Sequence, residues 1–175
     1  MPFAYHARPA SLRGETLHPL NRLRDTHREL YERERRKYAG REALLKLRIP
    51  VLDVLWNDAL HLSAIHPGRL AASWRAAGLQ SPIWEREFFQ IPVERIDASR
   101  SAWFPSGALP FTEVVWFDPE RYREPDVAPD GYDEYLRRCR ERGRQPRPFA
   151  YVPHVLVAAP IDVSGLGVVR ADEVP

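Results

Sequence analysis

Histidine is the side chain best suited to proton chemistry near neutral pH, because the imidazole ring titrates in that range. The chain has six histidines. Two of them lie at the edges of predicted strands beside aromatic residues: His6 follows Tyr5 on the first strand, and His154 opens a late, Val-rich strand. A strand aims a side chain rigidly, which a substrate-orienting group needs. We therefore predict His6 and His154 as catalytic residues; half-buried histidines bonded to backbone are the alternative.

His61 and His66 stand five residues apart, across the end of a strand and a turn. A metal ion would need them together with a carboxylate such as Asp58, but the spacing matches neither HExxH nor HxH. The sequence therefore predicts no metal site, and a metal-dependent hydrolase is the weakest of our hypotheses. His18 and His27, in a loop and a charged helix, are expected at the surface.

Tyr38 and Arg41 flank Gly40, which interrupts the helical pattern. A phosphate group at such a break would meet an arginine and a helix N-terminus, so both residues are candidate ligand contacts. An ordinary surface turn is the alternative.

The chain lacks the sequence motifs that identify several classes of enzyme. The chain has no Gly-x-Ser-x-Gly nucleophile elbow, no Gly-x-Gly-x-x-Gly and no P-loop. Hydrolases of the first kind, Rossmann dinucleotide sites and P-loop NTPases are therefore not expected. The single Cys139 excludes an intramolecular disulfide and a zinc cluster built on cysteines.

The elements that must position these residues form an α+β pattern. A helical segment over about residues 20–48 precedes a strand-rich remainder. Strands are predicted at Phe3–Ala7 and Glu87–Pro92, and central, fully buried strands at Phe111–Phe117 and His154–Ala159. A helix is predicted over Arg69–Ala77. The length of 175 residues suits a single domain, 1–175.

Charge and hydropathy restrict the binding partners and the cellular location that the sequence predicts. A net charge of +2 is too small for a nucleic-acid packaging protein. Two basic segments, Arg22–Arg48 and Arg137–Arg147, each carry a net +5, and Glu113–Glu134 between them carries −6. They favour an anion-binding face or mutually neutralising surface. No run is long and apolar enough for a transmembrane helix, and the N-terminus has no secretory h-region, so a cytoplasmic protein without a membrane partner is expected.

The order of the predicted strands, helices and short motifs along the chain resembles that of the ADP-ribosyltransferase superfamily, specifically its DarT-type members. The resemblance rests on Tyr5-His6, on Leu60-His61-Leu62-Ser63 running into Ile65-His66-Pro67, and on His154-Val155-Leu156-Val157. Much of the chain is also similar to a group of small bacterial proteins with Leu-Trp-Asn-Asp and Ile-His-Pro signatures. The resemblance implies a split β-sheet with an N-terminal helical segment, and NAD or a related nucleotide as ligand.

Carried over by position, His6 matches the family's ribose-binding histidine, and Ser63 matches its second-strand residue. The family geometry also places Trp56, Asn57 and Asp58 near the cleft, where Trp56 would stack on a ring and Asn57 would bind a polar edge; a core tryptophan followed by a turn is the alternative. His61 and His66 lie on the same stretch and complete the predicted ligand-binding set.

His154 stands where the family keeps a catalytic glutamate. That carboxylate compensates the positive charge that develops in an oxocarbenium-like transition state, and a neutral histidine does not. A histidine-dependent transferase, a different leaving group and a catalytically inert module that binds nucleotide or nucleic acid all remain open. DNA, RNA or protein would be the acceptor. Whether the protein is an enzyme stays undecided at this point.

Overall fold

The computed structural model describes residues 1–10, 12, 14–111 and 113–172. Within these residues, a seven-stranded sheet is accompanied by two small two-stranded ladders. The strands are β1 (Phe3–Ala7), β2 (Thr16–Leu17), β3 (Arg48–Ile49), β4 (Val54–Leu55), β5 (Leu60–Ser63), β6 (Glu87–Pro92), β7 (Ser101–Phe104), β8 (Val115–Trp116), β9 (His154–Val157), β10 (Ile161–Asp162) and β11 (Val168–Arg170). The α-helices are α1 (Leu23–Thr26), α2 (Arg28–Arg35), α3 (Pro67–Ala76) and α4 (Asp130–Glu141).

The large sheet has the order β11-β6-β1-β5-β9-β7-β8, and each of its neighbouring pairs is antiparallel. Helices combined with a large antiparallel sheet confirm the α+β class. The predicted strands at β1 and β6 are confirmed with the same bounds. The predicted late strand is confirmed as β9, which lies between two neighbours and is buried along its whole length.

The sheet is nearly divided at its middle. β1 and β5 meet at one registered pair, Tyr5 opposite Ser63. By contrast, β1 pairs with β6 over five positions and β5 with β9 over four. This is the shortest ladder of the sheet. Beyond that pair, the C-terminal end of β1 and the first residues of β5 are not paired with each other, and we call this unpaired stretch the gap between β1 and β5.

The predicted central strand at Phe111–Phe117 is wrong. Only Val115 and Trp116 form a strand; they lie at the edge of the sheet and are 54% and 53% exposed. Thr112 lies outside the described residues. High β-propensity reports a fit to a pleated surface and does not distinguish an edge from a centre. The aromatic residues on either side contribute packing instead, since Phe117 is buried and the Phe111 ring contacts that of Phe104 at 5.0 Å.

The helical segment predicted over about residues 20–48 is present, but it is broken at more places than Gly40. The chain turns once in a 3-10 helix before α1, breaks at His27 (φ −144°, ψ 64°), and resumes as α2. A 3-10 turn then leads to Gly40, and a further one spans Glu42–Lys46. None of the residues in these elements is buried. We call residues 20–46 the helical segment; it is too polar to form one packed helix.

Helices α3 and α4 pack together on one face of the sheet. α3 begins with Pro67 after His66, whose side chain accepts from the Gly68 amide, and ends before Gly78 (φ 66°). The helices meet where Trp74 Nε1 donates to the Tyr132 hydroxyl at 2.7 Å, and both side chains are fully buried. None of the described helices has the length and apolar character that crossing a membrane requires.

Candidate functional site

A cavity of about 810 Å³ lies at the gap between β1 and β5. One wall is the end of β1 with the first residues of β5, and another is the helical segment. Besides Tyr38, the segment contributes side chains at alternating spacings of three and four along the chain. These are Leu20, Leu23, His27, Leu30, Glu34, Lys37, Arg41 and Leu44. The volume lies within the range of small-molecule sites, so the cavity is the candidate site of this protein.

Eight of the ten predicted site residues line this cavity. They are His6, Tyr38, Arg41, Trp56, Asn57, His61, Ser63 and His154. Their chain positions span nearly 150 residues, so the fold and not local sequence brings them together. The other two, Asp58 and His66, are not among the residues that line it.

Asp58 has a structural task in this fold. Its two carboxylate oxygens accept from Asn21 Nδ2 at 2.8 Å and from the Leu55 amide at 3.0 Å. The carboxylate thereby fastens the start of the helical segment to the turn before β5.

His66 caps α3 and supports β1. Its Nδ1 accepts from the Gly68 amide at 3.1 Å, and its ring packs edge-on against Tyr5 with centroids 5.0 Å apart. His61 lines the cavity and His66 does not. Among the described residues, no group of three or more His, Cys, Asp or Glu side chains could hold a metal ion.

Three histidines meet around the cavity despite the alternation of the strands. Val155 packs in a cluster with Ala4, so His6, two residues after Ala4, extends from that face. His61 and His154 extend from the opposite face, and their ring centroids are 6.5 Å apart. Because β1 and β5 diverge after their single pair, side chains from both faces of the sheet reach one cavity.

Backbone hydrogen bonds fix the tautomer of each of these rings. Nδ1 of His6 donates to the Ala7 carbonyl at 2.8 Å, and Nδ1 of His154 donates to the Val152 carbonyl. In His61, Nε2 donates to the Trp56 carbonyl at 2.9 Å. The second nitrogen of each neutral ring therefore carries a lone pair and acts as an acceptor.

Those acceptor nitrogens remain open to a ligand. In the described part of the chain, no fully buried side-chain nitrogen or oxygen lacks a hydrogen-bond partner. None of the three acceptor nitrogens has a protein partner, so each must reach accessible space in the cavity.

Desolvation keeps the three rings neutral. Burial lowers the pKa of His6 to about 4, that of His61 to about 3 and that of His154 to about 4. For His61, charge repulsion from His154 and His6 lowers the pKa further. At pH 7 the cavity therefore presents lone pairs and no imidazolium charge.

Asn57 is a polar side chain that is 3% exposed and lines the cavity. Its amide makes no hydrogen bond to any described residue. Because no fully buried side-chain nitrogen or oxygen of the described residues lacks a partner, the Asn57 amide keeps access to the cavity and is available to a ligand there. Ser63, by contrast, already donates to the Ile65 carbonyl at 2.9 Å and can offer a ligand only an acceptor.

Aromatic rings form another part of the wall. Trp56 packs edge-on against His61 with centroids 4.0 Å apart and contacts Phe111 at 5.8 Å, which fixes its orientation. The Arg41 guanidinium lies over the Tyr38 ring, and its central carbon is 5.6 Å from the ring centroid. The prediction that Trp56 faces a ligand is consistent with this position, since its ring is half-buried at the cavity.

Sequence reasoning missed several lining residues. Arg86 and Arg147 line the cavity, and so does Glu34, whose carboxylate pairs with Lys37. Arg147 ends a basic segment, which was a usable signal; nothing in the sequence marks Arg86. His18 and His27, both expected at the surface, also line the cavity; His18 is exposed and His27 is half-buried.

Ion pairs neutralise only part of the charge of the two basic segments. In the helical segment, Arg35 pairs with Glu32 at 3.9 Å. In α4, Arg138 pairs with Glu134 at 2.7 Å. A nucleic-acid partner stays a prediction.

Comparison with known proteins found no family model, curated protein or solved structure that matches this chain.

Proposed function

We propose that the cavity binds NAD or a related nucleotide, and that the protein is ADP-ribosyltransferase-like. One observation carries the proposal. His6, Ser63 and His154 were selected by their place in an order of elements, and all three line one cavity beside the single registered pair of β1 and β5. That residues so far apart in the chain share one cavity supports the proposal.

The chemistry of the wall suits a nucleotide. Ribose hydroxyls are donors, and the open nitrogens of His6, His61 and His154 are acceptors. The Asn57 amide both donates and accepts, as recognition of a carboxamide or a base edge requires. Trp56 offers an aromatic surface for stacking. NAD, when bound, supplies an ADP-ribosyl group with nicotinamide as its leaving group.

A catalytically inert nucleotide-binding protein is the second candidate, and the charges of the cavity favour it over a transferase of the usual kind. Glu34 is the sole carboxylate among the described lining residues, and it pairs with Lys37. His154, in the position of the family's glutamate, is neutral. No unpaired negative charge therefore faces a developing cation.

Calorimetric titration with NAD tests the binding proposal through His6. His6→Asn keeps a donor for the Ala7 carbonyl but places no acceptor where Nε2 lies, so NAD affinity is expected to fall by about tenfold. His6→Gln places an amide oxygen near Nε2 and should recover part of the loss. Equal affinities in wild type, His6→Asn and His6→Gln would remove His6 from the site.

Nicotinamide release from NAD separates the two candidates. His154→Glu restores a carboxylate where positive charge would develop, and His154→Gln is its neutral control. A transferase site predicts faster release in His154→Glu than in His154→Gln, with both variants folded by circular dichroism. Binding of NAD without release in wild type or either variant would establish the inert module instead.

A further inference from the structure

Two arginines of the cavity wall have no acidic partner. The side chains of Arg86 and Arg147 make no ion pair and no hydrogen bond in the described part of the chain. The other two cations on the wall are engaged: Lys37 pairs with Glu34, and Arg41 donates to the Lys37 carbonyl.

Packing brings the two arginines to the same part of the wall. Each precedes a phenylalanine by two residues, and the rings of Phe88 and Phe149 contact edge-on with centroids 6.1 Å apart. Arg86 directly precedes β6, while Arg147 lies in the loop before β9. The chain segments that carry the two arginines therefore lie next to each other, and both arginines line the cavity.

Backbone contacts from α4 hold the Arg147 side of this wall in place. The Arg147 amide donates to the Tyr135 hydroxyl at 2.8 Å, and the Tyr132 hydroxyl donates to the Pro148 carbonyl at 2.8 Å. Since Tyr132 is fully buried, the loop is anchored to the core. A guanidinium on an anchored loop loses less freedom when it binds.

The cavity as a whole favours an anion. Its described lining residues include four Lys or Arg side chains against the one carboxylate of Glu34, and its three central histidines are neutral. A guanidinium presents its N–H donors as a planar fork that matches phosphate oxygens. Two such forks without internal partners fit one phosphate each, or the two halves of a diphosphate.

We infer that Arg86 and Arg147 bind the phosphate groups of the ligand and make the site specific for a phosphorylated nucleotide. This inference rests on the proposed function, because the nucleotide itself is the proposed ligand. Neither arginine was a predicted site residue. Together they would bind the charged phosphate part of the ligand, which the neutral histidines do not bind.

The test titrates NAD and inorganic pyrophosphate into wild type, Arg86→Gln and Arg147→Gln. Arg144→Gln is the matched control, because Arg144 is exposed in the same loop and does not line the cavity. We expect NAD affinity to fall by about tenfold or more in each of the two wall variants, the loss of a charge-assisted hydrogen bond, and to stay within about twofold in the control.

The outcomes separate this inference from the proposed function. If wild type binds NAD and both wall variants bind it equally well, the phosphate assignment is overturned and the proposed function stands. If wild type binds pyrophosphate through these arginines but not NAD, the assignment stands and the proposed function fails. Binding of neither probe overturns both. All three substituted arginines are exposed, and each is replaced by a polar side chain, so thermal melting is enough to check that the variants are folded.

Discussion

A histidine that donates one ring nitrogen to a backbone carbonyl offers a ligand only a lone pair through the other. His6, His61 and His154 all do this at one cavity, each with a different carbonyl. Such rings act as acceptors at neutral pH and are poor general bases, since burial holds their pKa values near 3 to 4. At the scale of the residue, the cavity therefore offers hydrogen-bond acceptors to hydroxyl and amide donors.

The same burial predicts a dependence of stability on pH. The His154 pKa falls from 6.5 in the unfolded chain to about 4 in the fold, so below pH 6.5 the unfolded chain binds the extra proton. The free energy of unfolding must therefore decrease as the pH falls from 7 towards 4. His154→Asn keeps the donor to Val152 and removes the titrating ring, so it should lose about 2 kcal/mol less than wild type between pH 7 and 4.5.

Urea unfolding at several pH values checks this expectation. Between pH 7 and 8.5 the ring is neutral in both states, so wild type and variant should show parallel stabilities there. An equal loss on acidification in the two proteins would show that His154 is protonated as easily in the fold as outside it.

At the scale of the element, the sequence was most informative where strands are central. The Val-rich run of β9 reads as buried, and the structure buries all four of its residues. The equally strand-like run that contains β8 lies at an edge, because propensity carries no information on neighbours. The break at His27 was also invisible, since the charged pattern continues through it.

The candidate site, like the fold, could be predicted from the sequence only in part. The sequence predicted which residues have useful chemistry, and the fold decided which of them meet. Asn57 and Asp58 are adjacent, yet the first lines the cavity and the second fastens Asn21. Arg86 has no local signal, because its place on the cavity wall depends on contacts between distant parts of the chain such as that of Phe88 with Phe149. Only tertiary structure supplies that information.

The contact between α3 and α4 supports a prediction about stability. Tyr132→Phe leaves the buried Trp74 Nε1 donor and the Pro148 carbonyl without their shared hydroxyl, so the free energy of unfolding should fall by about 1–3 kcal/mol. Tyr135→Phe is the control: its hydroxyl accepts from the exposed Arg147 amide, which water can satisfy. Denaturant unfolding measures both. A loss in Tyr135→Phe as large as that in Tyr132→Phe would contradict the buried network described here.

At the scale of the whole molecule, the cavity joins parts of the chain that are remote in sequence. The sheet contributes the histidines, the helical segment closes one side, and the loops before β6 and β9 add the arginines. Its position at the weak junction of two half-sheets explains how residues from opposite faces share it. The central claim is that His6 and His154 contact the same bound nucleotide.

Nitrogen-15 NMR of the histidine rings tests that claim most directly. Without ligand, His6 and His154 should be protonated at Nδ1 and His61 at Nε2. On saturation with NAD, the acceptor nitrogens of His6 and His154 should both shift, whereas His66, which caps α3, should not. NAD binding that leaves the resonances of His6 and His154 unchanged would contradict the account.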